Sequence, residues 1–176
     1  YKDAKPAHEM KLSFPEGTKA VIGHTRMTTQ GSETKNWNNH PFDGSCGNTE
    51  FALAHNGVLY NDKSLRSKLS LPPTCIETDS YIAVQLLERY EKLDMENIKL
   101  MSEAISGSFM ITILRNDNTL FLTKGSNPIT LYHFPDLGLF AYASTKGILD
   151  NALKKTKIDA SYIEIKITDG EIMGIA

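Results

Sequence analysis

The spacing of apolar residues changes along the chain, and it predicts an α+β fold. In the middle of the sequence, apolar residues recur with a helical period after polar residues that suit helix starts: first Asn61, then Thr78 or Asp79, and then Asp94. From Ser108 onward, apolar residues fall into short runs separated by turn residues, which is typical of antiparallel strands. The predicted strands span 108–114, 119–123, 129–134, 139–143, 162–167 and 171–175, with a helix that follows Ser144-Thr145 and ends near Lys154. This alternation predicts helices packed on antiparallel sheets.

For the first half of the chain and for its last turn, the predicted structure rests on short local sequence signals. Ala20, Val21 and Ile22 are apolar and Thr25 suits a pleated surface, so 20–25 predicts a strand. Residues 32–48 are polar and rich in glycine and asparagine, which predicts a long loop. Asn56-Gly57 lies between two short apolar runs, which is a common hairpin signal, and Asp169-Gly170 gives the same signal near the end of the chain. We therefore expect a hairpin turn at each of these two dipeptides.

Composition and charge narrow the class of protein without naming its function. The chain has 176 residues, 40% hydrophobic and 23% charged, with a net charge of -2; this is typical of one globular domain and favours neither nucleic acid nor an anionic membrane as a partner. No apolar run could span a bilayer, and Cys46 and Cys75 do not make a disulfide framework, so we expect a cytoplasmic setting. The five histidines show no metal-ligand spacing, and we predict neither a metal site nor a cofactor.

Three polar residues at the ends of predicted elements each admit a structural and a functional interpretation. Arg26 follows a predicted strand, so its guanidinium either forms a structural salt bridge or donates a bidentate pair to a ligand carboxylate. Asn56 starts a predicted hairpin turn, and Asp79 is a suitable cap for the helix that follows it. No one of these residues decides by itself between structure and function.

The order of several short motifs along the chain favours the functional interpretation of these residues. Gly23-His24-Thr25-Arg26, His55-Asn56-Gly57 and Glu77-Thr78-Asp79-Ser80 together resemble the class II glutamine amidotransferases, whose glutaminase domain is an N-terminal-nucleophile hydrolase. The likeness extends to four further motifs: Asn39-His40-Pro41, Gly107-Ser108-Phe109, Gly125-Ser126-Asn127-Pro128 and Ala143-Ser144. The resemblance implies an α+β fold of the four-layer αββα sandwich type, with a single glutaminase domain over residues 1–176.

The resemblance also implies a role for each candidate residue, with L-glutamine as the substrate. Arg26 would bind the α-carboxylate of glutamine, and Asp79 would bind its α-ammonium group. The Asn56 side-chain amide and the Gly57 backbone N–H would form a catalytic oxyanion hole. Thr29 and Gln30 would belong to a substrate-binding loop that closes over glutamine and excludes water.

The nucleophile of this family is an N-terminal cysteine whose own α-amine is the general base, whereas this chain begins with Tyr1. We therefore expect the domain to be N-terminally incomplete, with its first strands and the catalytic cysteine upstream. Cys46 and Cys75 match no family position and are interpreted as ordinary thiols. Met27 and Gln30 stand where the family commonly has tryptophan and histidine, which leaves the subgroup open.

The resemblance predicts an enzyme that hydrolyses the side-chain amide of glutamine to glutamate and ammonia, for transfer to an acceptor. The stretch from Arg26 to Gly31 and the Gly-Ser-Asn-Pro motif favour the branch that aminates fructose 6-phosphate, whose acceptor site lies in a separate sugar-isomerase domain. Two alternatives stay open: an amidophosphoribosyltransferase-type glutaminase domain, and a non-catalytic glutamine-binding module without the nucleophile. An oligomer is compatible with all three.

Overall fold

A computed structural model of the chain describes residues 1–27 and 30–176. The helices are α1 (Asp62–Lys68), α2 (Tyr81–Leu87), α3 (Met95–Ala104) and α4 (Lys146–Thr156). The strands are β1 (Phe42–Cys46), β2 (Thr49–Leu59), β3 (Gly107–Arg115), β4 (Leu120–Lys124), β5 (Thr130–Phe134), β6 (Leu139–Ala143), β7 (Ile163–Ile165) and β8 (Ile172–Ile175). Short 3₁₀ helices span Ala7–Glu9, Asn36–Asn38 and Pro135–Leu137. Within the described ranges, no helix is long and apolar enough to cross a bilayer.

The strands form two antiparallel sheets. The larger has five strands in the order β1-β2-β3-β4-β8, and the smaller has three in the order β6-β5-β7. The longest strand, β2, pairs with β1 only through its first half, up to Leu53, but pairs with β3 as far as Leu59. Among the described residues, the second half of β2 therefore has a strand neighbour on one side only, and the site described below lies on its other side.

Alternating side chains place the two sheets between helices. On β3, Ile111 and Ile113 pack with α2 and α3. Met110, which pairs with Asn56 across β2 and β3, packs toward the smaller sheet with Leu131. On β5, Leu131 faces the larger sheet and Tyr132 packs against α4. This period of two produces the layer order helices, sheet, sheet, helix, so the predicted four-layer α+β fold is confirmed.

Most of the predicted elements are present, and Asp94 caps α3 as expected by accepting a hydrogen bond from Asn97 N at 3.0 Å. Both predicted hairpins are wrong. Asn56-Gly57 lies inside β2, because pairing with β3 along the whole segment outweighs the local turn preference of the dipeptide. The two strands around Asp169-Gly170 do not pair with each other, because β7 joins β5 in the smaller sheet and β8 joins β4 in the larger one.

Two further predictions in the first half of the chain are also wrong. Residues 20–25 form no strand, although the apolar run suggested one. Residues 32–48 are not one long loop, because they contain a 3₁₀ helix and β1. The β1 sequence includes Gly44, where an added Cβ would lie 2.5 Å from Phe51 and 2.7 Å from Val84. A residue type that is rare in strands is therefore required here by close packing.

Candidate active site

A cavity of about 290 Å³ opens beside the second half of β2. Its lining includes all five described residues that the sequence predicts for the site: Arg26, Gln30, Asn56, Gly57 and Asp79. The sixth, Thr29, lies outside the described residues. A larger cavity of about 450 Å³, between α3 and the outer face of the larger sheet, contains none of them. The chemistry of the lining therefore places the site in the smaller cavity.

Gly57 is fixed by close contact with the neighbouring strand. Its φ of 145° lies in a region that favours glycine, and an added Cβ would lie only 1.9 Å from Ser108 O and 2.8 Å from His55 Nε2. Beside it, Asn56 lines the cavity, and its side-chain amide has no hydrogen bond to a described residue. The strand thus brings an unpaired amide group and a side-chain-free backbone position to the cavity wall.

Asp79 presents a buried carboxylate on the open side of β2. Its side chain is only 3% exposed, and Oδ2 accepts a hydrogen bond of 2.6 Å from Leu59 N. The alternative that Asp79 caps a helix is wrong, because α2 begins at Tyr81, its N-cap is Ser80, and no side chain caps it. The second carboxylate oxygen, Oδ1, has no hydrogen bond to a described residue and remains able to accept one from a ligand.

Arg26 is half-buried and holds the loop that follows it. Its Nη1 donates to Asn39 Oδ1 at 3.1 Å, and its Nη2 donates to Gly31 O at 3.2 Å and also to Gln30 O. A guanidinium has five N–H donors, so two are left without an acceptor among the described residues. Partial burial lowers the pKa of Arg26, and the nearby carboxylates Glu33 and Asp79 oppose this change. The side chain is therefore partly structural and partly free to bind an anion.

A second set of bonds connects this loop to the segment before Asp79. Asn38 Nδ2 donates to Glu77 Oε2 at 2.8 Å, and Glu77 N donates back to Asn38 Oδ1 at 2.9 Å. Lys35 Nζ donates to Glu77 Oε1 at 2.7 Å, and this hydrogen bond is the main cause of the lowered pKa of Glu77. The segments that carry Arg26 and Asp79 are thus held together outside the cavity.

Three histidines, His24, His40 and His55, also line the cavity. His55 Nε2 lies 3.3 Å from Ser108 O, which can only accept, so that nitrogen carries the proton, and Nδ1 accepts from Ser80 Oγ at 2.8 Å. The rings of His24 and His40 lie 4.3 Å apart. Burial is the main reason that the pKa of all three is lowered, that of His24 to about 4. The imidazoles are therefore neutral near pH 7.

Sequence reasoning gave no role to these histidines, nor to Ser80, Ser108 and Asn127, which line the same cavity. Each lies in one of the motifs that carry the family resemblance, so the motifs were the available signal. Neither cysteine lines the cavity: Cys46 is buried and donates its Sγ–H to Leu87 O at 3.0 Å, and Cys75 is exposed. Burial raises the pKa of Cys46 to about 11, which makes it a poor nucleophile.

Comparison with known proteins gives the class to which this fold and site belong. Residues 24–151, more than half of the chain, match the glutamine amidotransferase domain family. The chain therefore belongs to that family, and the resemblance predicted from the ordered motifs is confirmed.

The curated relatives it matches include three glutamine–fructose-6-phosphate aminotransferases (isomerizing). That of Bacillus subtilis strain 168 is 33% identical over 117 residues, which cover 63% of this chain and 19% of the relative. That of Oceanobacillus iheyensis is 27% identical over 165 residues, covering 86% and 27%. That of Sulfurisphaera tokodaii is 31% identical over 129 residues, covering 70% and 21%. The chain thus spans 19–27% of the length of these relatives.

Two solved structures share the fold at lower sequence identity. The glutamine phosphoribosylpyrophosphate amidotransferase of B. subtilis matches 86% of this chain and 32% of its own, with a TM-score of 0.67 and 22% identity. A structure described as the allosteric regulatory enzyme of purine biosynthesis matches 80% and 30%, with a TM-score of 0.62 and 23% identity. These likenesses concern the fold, and they agree with the four-layer arrangement.

Proposed function

We propose that this domain binds L-glutamine and hydrolyses its side-chain amide to glutamate and ammonia. The observation that carries the proposal is the convergence of three unsatisfied groups in one cavity: the spare N–H donors of Arg26, Oδ1 of Asp79 and the side-chain amide of Asn56. Arg26 would take the α-carboxylate of glutamine, Asp79 its α-ammonium group, and Gln30, with Thr29, would cover the bound substrate. A zwitterion with an amide at its far end matches this set of groups.

The chemistry requires a nucleophile and a place for negative charge. A thiolate attacks the amide carbon, a C–S bond forms, and the carbonyl oxygen becomes an oxyanion. Asn56 Nδ2 and Gly57 N–H would donate to that oxygen, where they stabilise the transition state more than the substrate. Collapse of the intermediate breaks the C–N bond, ammonia leaves with a proton, and water hydrolyses the thioester to glutamate. We propose the N-terminal cysteine of the class II enzymes, which is not among residues 1–176, as this nucleophile.

Ammonia released here would be transferred to an acceptor bound elsewhere in the protein. The matched curated relatives are named for fructose 6-phosphate and as isomerizing enzymes, which supports fructose 6-phosphate as the acceptor and a sugar-isomerase domain or subunit as its site. The amidophosphoribosyltransferase type is the second candidate, and the fold likeness to the B. subtilis enzyme is the observation in its favour. No cofactor has a role in either proposal.

The test is glutamate production from glutamine by the purified natural protein that contains this chain, beside its Cys46→Ala and Cys75→Ala variants. We expect turnover in all three proteins, with fructose 6-phosphate raising the rate if it is the acceptor. Saturable glutamine binding without turnover would favour a non-catalytic glutamine-binding module. Turnover that disappears in either variant would make that internal cysteine the nucleophile and would overturn the assignment of an N-terminal one.

A further inference from the structure

Asn127 touches the backbone of the residue at the centre of the candidate site. Its Nδ2 donates a hydrogen bond of 2.8 Å to the carbonyl oxygen of Asn56. Because a carbonyl oxygen only accepts, the nitrogen of the Asn127 amide must be the atom that faces it. Asn127 also lines the cavity, and it belongs to a motif to which the proposed function gives no role.

The hydrogen bond from Asn127 to the Asn56 carbonyl also affects the Gly57 N–H, which belongs to the same peptide group. The Asn56 carbonyl and the Gly57 N–H belong to one planar amide, so a bond that fixes the carbonyl also fixes the direction of the N–H. A donor on the carbonyl also polarises the amide, which makes its N–H a stronger donor. Asn127 therefore acts on the Gly57 N–H without touching it.

The direction of this N–H follows from strand geometry. Leu59 N donates to Asp79, away from β3, and N–H groups two residues apart in a strand point to the same side. The Gly57 N–H thus lies on the side of β2 where pairing with β1 has ended at Leu53. That side is the one on which Asp79 lines the cavity.

Asn127 is itself held in place from two directions. Its backbone N donates to Phe109 O at 3.4 Å, and Gly125 N donates to the same oxygen at 2.9 Å. Phe109 is the residue that pairs with Gly57 across β2 and β3. Pro128 follows directly and restricts the backbone of Asn127 to extended conformations. The side chain is thus built onto the strand pair that carries the oxyanion donor.

We propose that Asn127 is a positioning residue for the oxyanion hole, orienting and polarising the Asn56–Gly57 peptide so that the Gly57 N–H meets the developing charge. This inference rests on the proposed glutaminase function. It predicts a loss confined to kcat, because the peptide N–H contributes most when the oxyanion forms.

The experiment compares Asn127→Asp and Asn127→Ala with Ser126→Ala in the natural protein. Asn127→Asp keeps the shape of the side chain and removes the donor, whereas Ser126 is exposed and has no side-chain hydrogen bond to a described residue. Both Asn127 variants should lower kcat for glutamine hydrolysis by about 3- to 10-fold, since one indirect hydrogen bond is lost. KM and inhibition by glutamate should stay unchanged, and Ser126→Ala should behave as wild type.

A spectroscopic readout separates positioning from general support of the fold. Asn56-Gly57 is the one Asn–Gly peptide in residues 1–176, so labelling asparagine carbonyls with ¹³C and glycine nitrogens with ¹⁵N selects its amide signal in this chain. The Gly57 amide should shift in both Asn127 variants and not in Ser126→Ala.

Unchanged kcat, or losses in KM and melting temperature without a specific kcat effect, would overturn the role of Asn127 while leaving the glutaminase function intact. Wild-type protein that binds glutamine without turnover would instead overturn both.

Discussion

Two polar clusters in this domain contain similar groups but satisfy them differently. Around Tyr132, which is fully buried, the hydroxyl donates to Asp150 at 2.8 Å and accepts from Lys146 at 2.7 Å. Lys146 also donates to Glu164 at 2.9 Å, so each residue of this α4 cluster has a partner in the fold. In the cavity beside β2, by contrast, Arg26, Asn56 and Asp79 each keep hydrogen-bonding capacity that no described residue uses.

The difference separates stabilising from binding chemistry. Burial raises the pKa of Tyr132 to about 12, and its hydrogen bond to Lys146 is the main reason that the pKa of that amine is also raised. Such shifts are often taken as signs of an active site, but here they come from burial and from hydrogen bonds between groups of the fold itself. Unused hydrogen-bonding capacity in a cavity is the better indicator of a binding site, because buried polar groups are otherwise hydrogen-bonded.

The largest expected effect comes from removing the unpaired amide of the cavity. Asn56→Ala should lower kcat for glutamine hydrolysis about 10²–10³-fold with little change in KM, by analogy with other oxyanion donors. Steady-state kinetics beside a thermal melt will measure this. A change confined to KM or to melting temperature would remove Asn56 from the catalytic group.

The next largest effect is expected at Arg26, whose guanidinium holds its loop and also keeps N–H donors for a ligand. Arg26→Ala should raise the KM for glutamine about 10- to 100-fold, because a hydrogen-bonded ion pair with the substrate carboxylate is lost. Arg26→Lys is the matched variant: it keeps the charge but loses the planar fork, so KM should rise by less. If both variants melt earlier while KM stays the same, Arg26 only supports its loop.

The smallest effect is expected in the α4 cluster. Tyr132→Phe keeps the ring that stacks 4.0 Å from Tyr162 and removes only the hydroxyl between Lys146 and Asp150. It should lower the melting temperature by about 2–4 °C, as expected for the loss of roughly one hydrogen bond in a domain of this size. The kcat and KM for glutamine should not change. A kinetic defect would contradict the distinction between the α4 cluster, whose groups satisfy one another, and the cavity, whose groups keep unused hydrogen-bonding capacity.

Sequence reasoning succeeded where one physical signal dominated. The helical period predicted α2 and α3, the short apolar runs predicted β3 to β6, and the ordered motifs named residues that the fold brings into one cavity. Sequence reasoning failed to predict which strands pair, because a local dipeptide such as Asn56-Gly57 carries no information about the strand beside it. It also could not find that Asp79 binds Leu59 N or that Asn127 reaches Asn56, since these contacts join residues far apart in the chain.

The change of neighbours along β2 gives the site a length scale. On one side of a strand, N–H groups recur every second residue, about 6.5 Å apart. On the open side of β2, the Leu59 N–H holds Asp79, and the Gly57 N–H is the preceding donor. Under the proposed function, the backbone sets the distance between the anchor for the α-ammonium group and the donor for the amide oxygen. Asparagine, one methylene shorter than glutamine, would not reach both the Asp79 carboxylate and the Gly57 N–H.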